Sequence, residues 1–303
     1  VEPATWIDLL DPDLAQLEAA LPAEVHDTVL DRMGLDPRHD DEPRPRLETH
    51  GEYLFGIFVI PVFDHDDDCV VFQEIDVVVT RDRLVSVRKT PPSGEPLDLA
   101  PIRGGALANE GGSGMFLYAL VDEVAERFLT LVDDIDDEVD ELEDMVEEWT
   151  GPQVRERVSD LRHAILQVRR MLTPTRDLAR SVLDDRTELD GDELFPREVE
   201  IHFADAYDKL LRATDGLDLS RDLLAGVRDY HQAQVANDQN EVMKRLTVVA
   251  SILLLPTFIV GLYGQNLKGV PEFNWAHGYA WSWAMIILTT IAQLVYFRRK
   301  RWI

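Results

Sequence analysis

Two groups of residues in this chain have types and spacings suited to handling ions. Asn240, Met243, Leu246, Ala250, Leu254, Thr257 and Gly261 recur at steps of three and four, so on a helix they share one stripe. That stripe is smaller and more polar than the opposite face, which carries Val248, Ile252, Leu255 and Ile259. A helix with such a face either packs against copies of itself or lines water. The second group is a dense row of acids: Asp133, Asp134, Asp136, Asp137, Glu138, Asp140, Glu141, Glu143 and Asp144. On a helix this row is either a solvated surface or a place where cations gather.

Other chemistry fails on inspection. Thr187 to Arg197 contains an Asp-Gly but lacks the alternating acids and closing Glu of a calcium-binding loop. His50, His65 and His163 show no ligand spacing, and Cys69 is the single cysteine, so one chain holds neither a disulfide framework nor a thiolate metal site. No phosphate loop, nucleophile elbow or zinc-protease signature is present, which argues against an enzyme and an ATP-driven pump. Against 30 Lys and Arg stand 58 Asp and Glu, a formal net charge of −28. Nucleic acid calls for a basic face, so it is not an expected partner; an acidic balance suits solubility or the attraction of cations. Val1 to Leu10 is mixed and does not read as a signal peptide.

The elements that must position these residues differ along the chain. Thr5 to Leu10 reads as a strand, followed by a helix to Leu21 with Asp11 as N-cap and Pro12 at its first position, and a second helix over Pro22 to Met33. Asp36 to Pro45 is a polar turn. The apolar runs Tyr53 to Phe63, Val70 to Thr80 and Leu84 to Arg88 are strands divided by polar turns. From Met115 the period becomes helical, with Phe128, Val132, Ile135, Val139, Leu142 and Val146 on one face. Thr150-Gly151-Pro152 breaks that helix. A second one runs to about Leu183 with Val154, Val158, Leu161, Ile165 and Val168 inward, and the two pack as an antiparallel hairpin. A third helix starts near Pro196 and meets no strong breaker before Pro256. Continued to Tyr263 it is about 100 Å long at 1.5 Å per residue. The fold class expected is therefore α+β, a mixed sheet with flanking helices, followed by long coiled helices and an all-α membrane part.

Leu246 to Tyr263 and Tyr279 to Phe297 have the length of bilayer spans and contain no charge. Lys244-Arg245 precede the first and Arg298-Arg299-Lys300-Arg301 follow the second, whereas the loop between them carries only Lys268 and Glu272. The excess of basic residues puts both ends in the cytoplasm, in an inner or plasma membrane crossed twice. Trp275, Tyr279, Trp281 and Trp283 mark the outer edge and Trp302 the inner one. The organisation expected is a cytoplasmic α/β domain over 1–112 and an acidic helical hairpin over 113–194. A stalk helix over 195–263 enters the membrane at 246–263; an outer loop over 264–278, a second span over 279–297 and a basic tail over 298–303 follow. Two spans cannot enclose a pore, so a pore requires a ring of copies.

At the end of the first span stands Tyr263-Gly264-Gln265-Asn266, followed by Pro271-Glu272-Phe273. This resembles the CorA family of magnesium channels, whose hallmark at this place is Tyr-Gly-Met-Asn with a Met-Pro-Glu-Leu loop after it. Asn240-Glu241-Val242-Met243-Lys244 resembles the family's entry to the first span, and Ile135-Asp136-Asp137-Glu138-Val139-Asp140-Glu141-Leu142 its acidic helices. Phe203-Ala204-Asp205-Ala206-Tyr207-Asp208 and Arg221-Asp222-Leu223-Leu224 resemble its stalk, and Tyr296 to Trp302 its basic tail. The match covers the chain from Met115 onward in order; before it, Arg44-Pro45-Arg46-Leu47-Glu48 is the best local likeness.

The resemblance implies a homopentameric channel for divalent cations, with magnesium as both substrate and regulator and no further cofactor. Gly264 and Asn266 would form the outer selectivity filter, with Glu272 in the outer loop and the 240–261 stripe lining the pore. Mg²⁺ sheds water reluctantly, and neutral carbonyl oxygens can hydrogen-bond its hydration shell without holding it fast. Gly264 would let the backbone turn and bring its own carbonyl close. Regulatory magnesium would sit between subunits at Asp205, with Asp136 or Asp137 as a secondary contributor; the family's Glu-Asp pair on the amino-terminal domain has no clean counterpart, although Asp36, Asp40, Asp41 and Glu42 are nearby. Gln265 departs from the family's Met, and relatives with other residues there include zinc transporters of the ZntB type. Zinc, cobalt or nickel on the same scaffold is the alternative ion, and a non-conducting membrane-anchored coiled-coil scaffold or sensor the alternative class.

Overall fold

A computed structural model describes residues 4–36, 43–64, 69–91, 95–107, 112–184, 187, 189, 194–265 and 275–302. The chain divides into two compact units, Val1–Arg228 and Asp229–Ile303.

The first unit is built on a mixed five-stranded sheet in the order β1-β5-β4-β3-β2. The strands are β1 Thr5–Leu10, β2 Arg46–Thr49, β3 Leu54–Asp64, β4 Cys69–Val79 and β5 Arg83–Arg88. Only β1 and β5 run parallel; β3 and β4 form a long antiparallel ladder from Leu54 opposite Val79 to Asp64 opposite Cys69. Alternation along these strands sends Phe55, Ile57, Val78, Val85 and Val87 to one side, where α1 (Leu14–Ala20) and α2 (Asp27–Met33) cover them with Leu17, Val29 and Met33. Phe58, Ile60, Ile75, Val77 and Leu84 belong to the larger core on the other side, closed by Phe116, Leu120, Val124 and Phe128 of α4 (Gly112–Met145). The expected mixed sheet with flanking helices is present.

Local starts and stops depart from the expected ones for identifiable reasons. The first helix is capped by Asp13, not Asp11: Asp13 accepts from the Gln16 backbone N–H while the Gln16 side chain accepts from that of Asp13. Asp11, at φ 44°, instead accepts from the Thr90 backbone N–H at 2.9 Å. The second helix begins at Asp27 behind a His26 cap, so Pro22 to His26 is a turn. Two short elements lie outside the pattern expected from sequence, β2 and α3 (Ala100–Leu107). β2 is a largely exposed edge of four residues, and α3 contains Gly104 and Gly105, so neither carries a long apolar period.

The helical part follows its pattern closely. Phe128, Val132, Ile135, Val139, Leu142 and Val146 are all buried, as are Val154, Leu161, Ile165 and Val168 of α5 (Gly151–Leu183), with Val158 packed at the margin. At the hairpin tip Thr150 and Gln153 cap α5 with Pro152 in the first turn, and Arg157 reaches back to Glu138 of α4 at 2.9 Å. Helix α6 (Arg197–Tyr263) continues through Pro256. Within the first unit it buries Val199, Phe203, Ala206, Leu210, Ala213, Leu217, Ser220, Leu224 and Val227, an alternation of fours and threes that forms a coiled-coil seam. The second unit holds the remainder of α6 and α7 (Gly278–Arg299); both helices include stretches long and apolar enough to cross a membrane.

Candidate functional site

In the second unit the two predicted faces of the first span separate cleanly. Val248 and Ile259 are buried and Ile252 and Leu255 half-buried, whereas Asn240, Met243, Leu246, Ala250, Leu254, Thr257 and Gly261 are all exposed. The contrast is large: Val248 is 4 % exposed and Leu254 71 %. Helix α7 supplies a polar contact to α6, where Gln293 Nε2 donates to the Ser251 carbonyl at 3.1 Å. The threonine hydroxyls of the span bond back within the helix, Thr247 donating to the Met243 carbonyl at 2.8 Å and Thr257 to that of Leu253 at 2.7 Å. Pro256 has no N–H, so the Ile252 carbonyl lacks its usual helical donor.

At the end of the span Gly264 N donates to the Val260 carbonyl at 2.8 Å. A Cβ at Gly264 would stand 3.1 Å from that same oxygen, so glycine answers a close approach here rather than a left-handed backbone. Gln265 is exposed, with its N–H 3.4 Å from the Leu262 carbonyl. Asn266 and Glu272 lie outside the described residues. Beyond them Trp275, Tyr279, Trp281 and Trp283 are exposed, with Trp275 and Trp281 ring centroids 6.2 Å apart.

The predicted cation-binding acids do not converge within one chain. Asp136 is half-buried and accepts from the Ser220 hydroxyl at 3.0 Å, while Asp137 and Asp205 are exposed. Asp205 is on the order of 22 Å from Ser220 along α6 at 1.5 Å per residue, so Asp136 and Asp205 belong to different levels. Among the described residues no group of three or more His, Cys, Asp and Glu could hold a metal ion.

Near Asp205 the structure instead gathers charges that the sequence did not single out. Lys209, one turn further along α6, bridges Asp122 at 2.9 Å and Glu126 at 3.2 Å on α4. Partial burial opposes its charge, but the hydrogen bonds to those carboxylates outweigh this and hold the ammonium above the usual lysine range. Tyr118 is pushed upward too, first by desolvation and then by the Asp122 carboxylate, with Asp205 adding to it and Lys209 opposing. Its ring lies against His202, with centroids 5.0 Å apart. Nothing in the sequence joins α4 to α6 at this point; Lys209 and Asp122 are 87 positions apart.

A second charged group is buried under α2. Glu74 and Asp76 project from β4 and are 5 % and 0 % exposed. Lys89 Nζ lies 2.6 Å from Glu74 Oε1 and 3.1 Å from Asp76 Oδ2, and Arg32 of α2 reaches Glu74 at 3.0 Å. Desolvation, and then repulsion by Glu74, push Asp76 up to about 7 against the pull of Lys89 and Arg32. The signal was available: Gln73-Glu74-Ile75-Asp76 interrupts an otherwise apolar strand.

Residues 2–299 match the sequence model of a family described as CorA-like Mg2+ transporter protein. The cobalt/magnesium transport protein CorA of Thermotoga maritima is 28% identical over 265 residues, covering 86% of this chain and 73% of that one. The zinc transport protein ZntB of Yersinia pestis is 26% identical over 192 residues, 63% of this chain and 57% of that one. The complete CorA magnesium transporter structure from Methanocaldococcus jannaschii shares the fold, with a TM-score of 0.79, 24% identity, and coverage of 98% of this chain and 91% of that one.

Proposed function

This chain belongs to the CorA-like Mg2+ transporter family and is a divalent-cation transporter of the CorA type; from that premise we propose that it works as a homopentameric channel whose principal ion is Mg²⁺. The observation that carries this reading is the first span, whose small and polar stripe stays exposed while the opposite face is covered. One chain leaves that stripe without a partner, and a ring of copies turns it into the wall of a pore. The wall would carry no charge. Ala250, Thr257 and Gly261 leave room for a hydrated ion, and Leu246 and Leu254 set two apolar rings about 12 Å apart along the helix, places where a pore can close by dewetting. Asn266, one per copy, would present amide carbonyls at the outer mouth beside the close-turned Gly264, with Glu272 in the loop around it. Neutral oxygens suit a cation that keeps most of its water, because a ring of carboxylates would hold it too firmly for release.

Regulation follows from linkage. Asp205 and Asp137 face solvent in the single chain and are available to a neighbouring copy, with Asp136 set beside Ser220. Mg²⁺ held between subunits at these acids would favour a closed arrangement, and depletion would release it. The segment roles read from sequence belong to this proposal: sheet domain and acidic hairpin in the cytoplasm, stalk entering the membrane, short return span, and both termini inside.

A second reading is zinc transport on the same scaffold, favoured by Gln265 in place of Met and by the similarity to proteins named ZntB. Flux into proteoliposomes separates the two, with Mg²⁺-sensitive and Zn²⁺-sensitive dyes in parallel. Mg²⁺ entry driven by a negative interior and inhibited by Mg²⁺ on the cytoplasmic face is the expected result. Zn²⁺ entry without Mg²⁺ entry would move the chain to the second reading. No flux of either ion through folded, pentameric protein would leave a scaffold.

A further inference from the structure

Gln293 is the polar residue that ties the two spans together, and its place on α6 is specific. Its Nε2 donates to the Ser251 carbonyl, while its Oε1 is buried and has no hydrogen-bond partner among the described residues. The next carbonyl, that of Ile252, is the one Pro256 leaves without a helical donor. The amide of α7 therefore grips α6 where its own ladder is weakest. Ser251 lies about 100° around the helix from Ala250, between the covered face of Val248 and Ile259 and the open stripe. A rotation of α6 large enough to break this bond would carry Ala250, Leu254, Thr257 and Gly261 off the axis. Turned one way, it would bring in the bulkier Val249, Leu253 and Val260, which are exposed on the adjoining flank.

We propose that Gln293 is a positioning residue for permeation: by donating to the Ser251 carbonyl it fixes the rotation of the first span and so keeps the small, polar stripe turned toward the pore. This rests on the pore reading above. It also identifies why an amide is present in a span otherwise filled by apolar and hydroxyl side chains. Because Oε1 has no partner among the described residues, the donor half of the side chain carries the contact. In hydrocarbon a backbone carbonyl offered a second donor keeps it, since no water competes.

The test uses thiol accessibility in proteoliposomes of the full chain. With Cys69, the single cysteine, changed to Ser, one cysteine is placed at Leu254 or Thr257 on the stripe, or at Leu253 or Val260 beside it. Rates of modification by a charged, water-soluble reagent are compared between the two pairs. With Gln293 present, the stripe positions react faster; if they do not, the pore reading fails, and the proposal falls with it. Gln293→Met keeps the length and removes the donor. The expected result is a loss of the contrast between stripe and flank by roughly threefold to tenfold, the range that an interhelical hydrogen bond in a membrane supports. Gln293→Glu supplies a control within one preparation: the protonated acid donates to the carbonyl and the carboxylate cannot, so the contrast should return as pH falls. A contrast unchanged in Gln293→Met overturns the proposal while leaving the pore reading intact. So does an equal slowing at all four positions, which would mark Gln293 as a simple tether.

Discussion

The buried carboxylate of Asp76 should make the sheet domain less stable as pH rises toward neutrality, the reverse of ordinary acid denaturation. In the folded chain burial and Glu74 raise Asp76 from 3.8 to about 7. Between those values the folded state holds a proton that the unfolded state has lost, so stability falls as pH climbs through this window and levels off above it. The span of the shift corresponds to on the order of 4 kcal/mol at most, since each unit is worth about 1.4 kcal/mol and the charges of Lys89 and Glu74 act on the same carboxylate. Asp76→Asn is neutral at every pH and should flatten the dependence. Hydrogen exchange of the full chain, followed in peptides covering Phe72–Val79 and Leu84–Arg88 and corrected for intrinsic rates, reads the effect where it arises. Wild-type protection should decline between about pH 5 and pH 7 by up to a few kcal/mol of opening free energy, and the variant should not follow. Protection that rises with pH in the wild type, or an identical slope in the two proteins, would refute the reasoning. It would mean that Lys89, at 3.1 Å, keeps Asp76 ionised throughout despite its burial.

Three other outcomes are expected. Gly114→Ala should destabilise by about 1–3 kcal/mol or more, because a Cβ there would overlap the backbone carbonyl of Leu194, whereas Gly104→Ala, with nothing within 4 Å, should stabilise by about 0.5–1 kcal/mol; thermal unfolding of the two variants side by side checks both. Asn266→Ala should abolish Mg²⁺ flux or its selectivity over other divalent ions while leaving assembly intact, as read by dye uptake and native mass. Asp205→Asn should raise the cytoplasmic Mg²⁺ concentration needed for inhibition by several-fold, about 1 kcal/mol of lost linkage, and titration of flux against internal Mg²⁺ would expose an unchanged midpoint.

What could be read from sequence was whatever repeats over many residues. The α4, α5 and α6 faces each place an apolar residue every three or four positions for several turns, and nearly all those residues are buried. The two spans are legible for the same reason, the first with its covered and open faces. Short elements and caps follow local competition instead. Asp11-Pro12-Asp13 offers two caps, and Gln16 decides between them by bonding Asp13 three residues back. The candidate site was legible as types, not as pairings. Gln293 with Ser251, Lys209 with Asp122, and Lys89 with Glu74 are contacts across 42, 87 and 15 positions that no periodicity announces.

The distribution of charge separates two tasks that one ion imposes. Asp229–Ile303 contains seven Lys and Arg against four Asp and Glu, so the excess acid of the chain resides entirely in Val1–Arg228. An ion that must leave as readily as it enters is poorly served by carboxylates along its path, and the spans have none. Sensing requires the opposite property, a firm hold at one concentration and release at another, which exposed acids on packed helices can supply only when a second copy brings its own. On the proposed function Asp205 and Asp137 would act only between copies, so their effect on flux should disappear in any variant that conducts without assembling the soluble units. A channel whose Mg²⁺ inhibition survived loss of both acids would place the sensor elsewhere in Val1–Arg228, and the cluster of Tyr118, Asp122, Glu126 and Lys209 would be the next group to change.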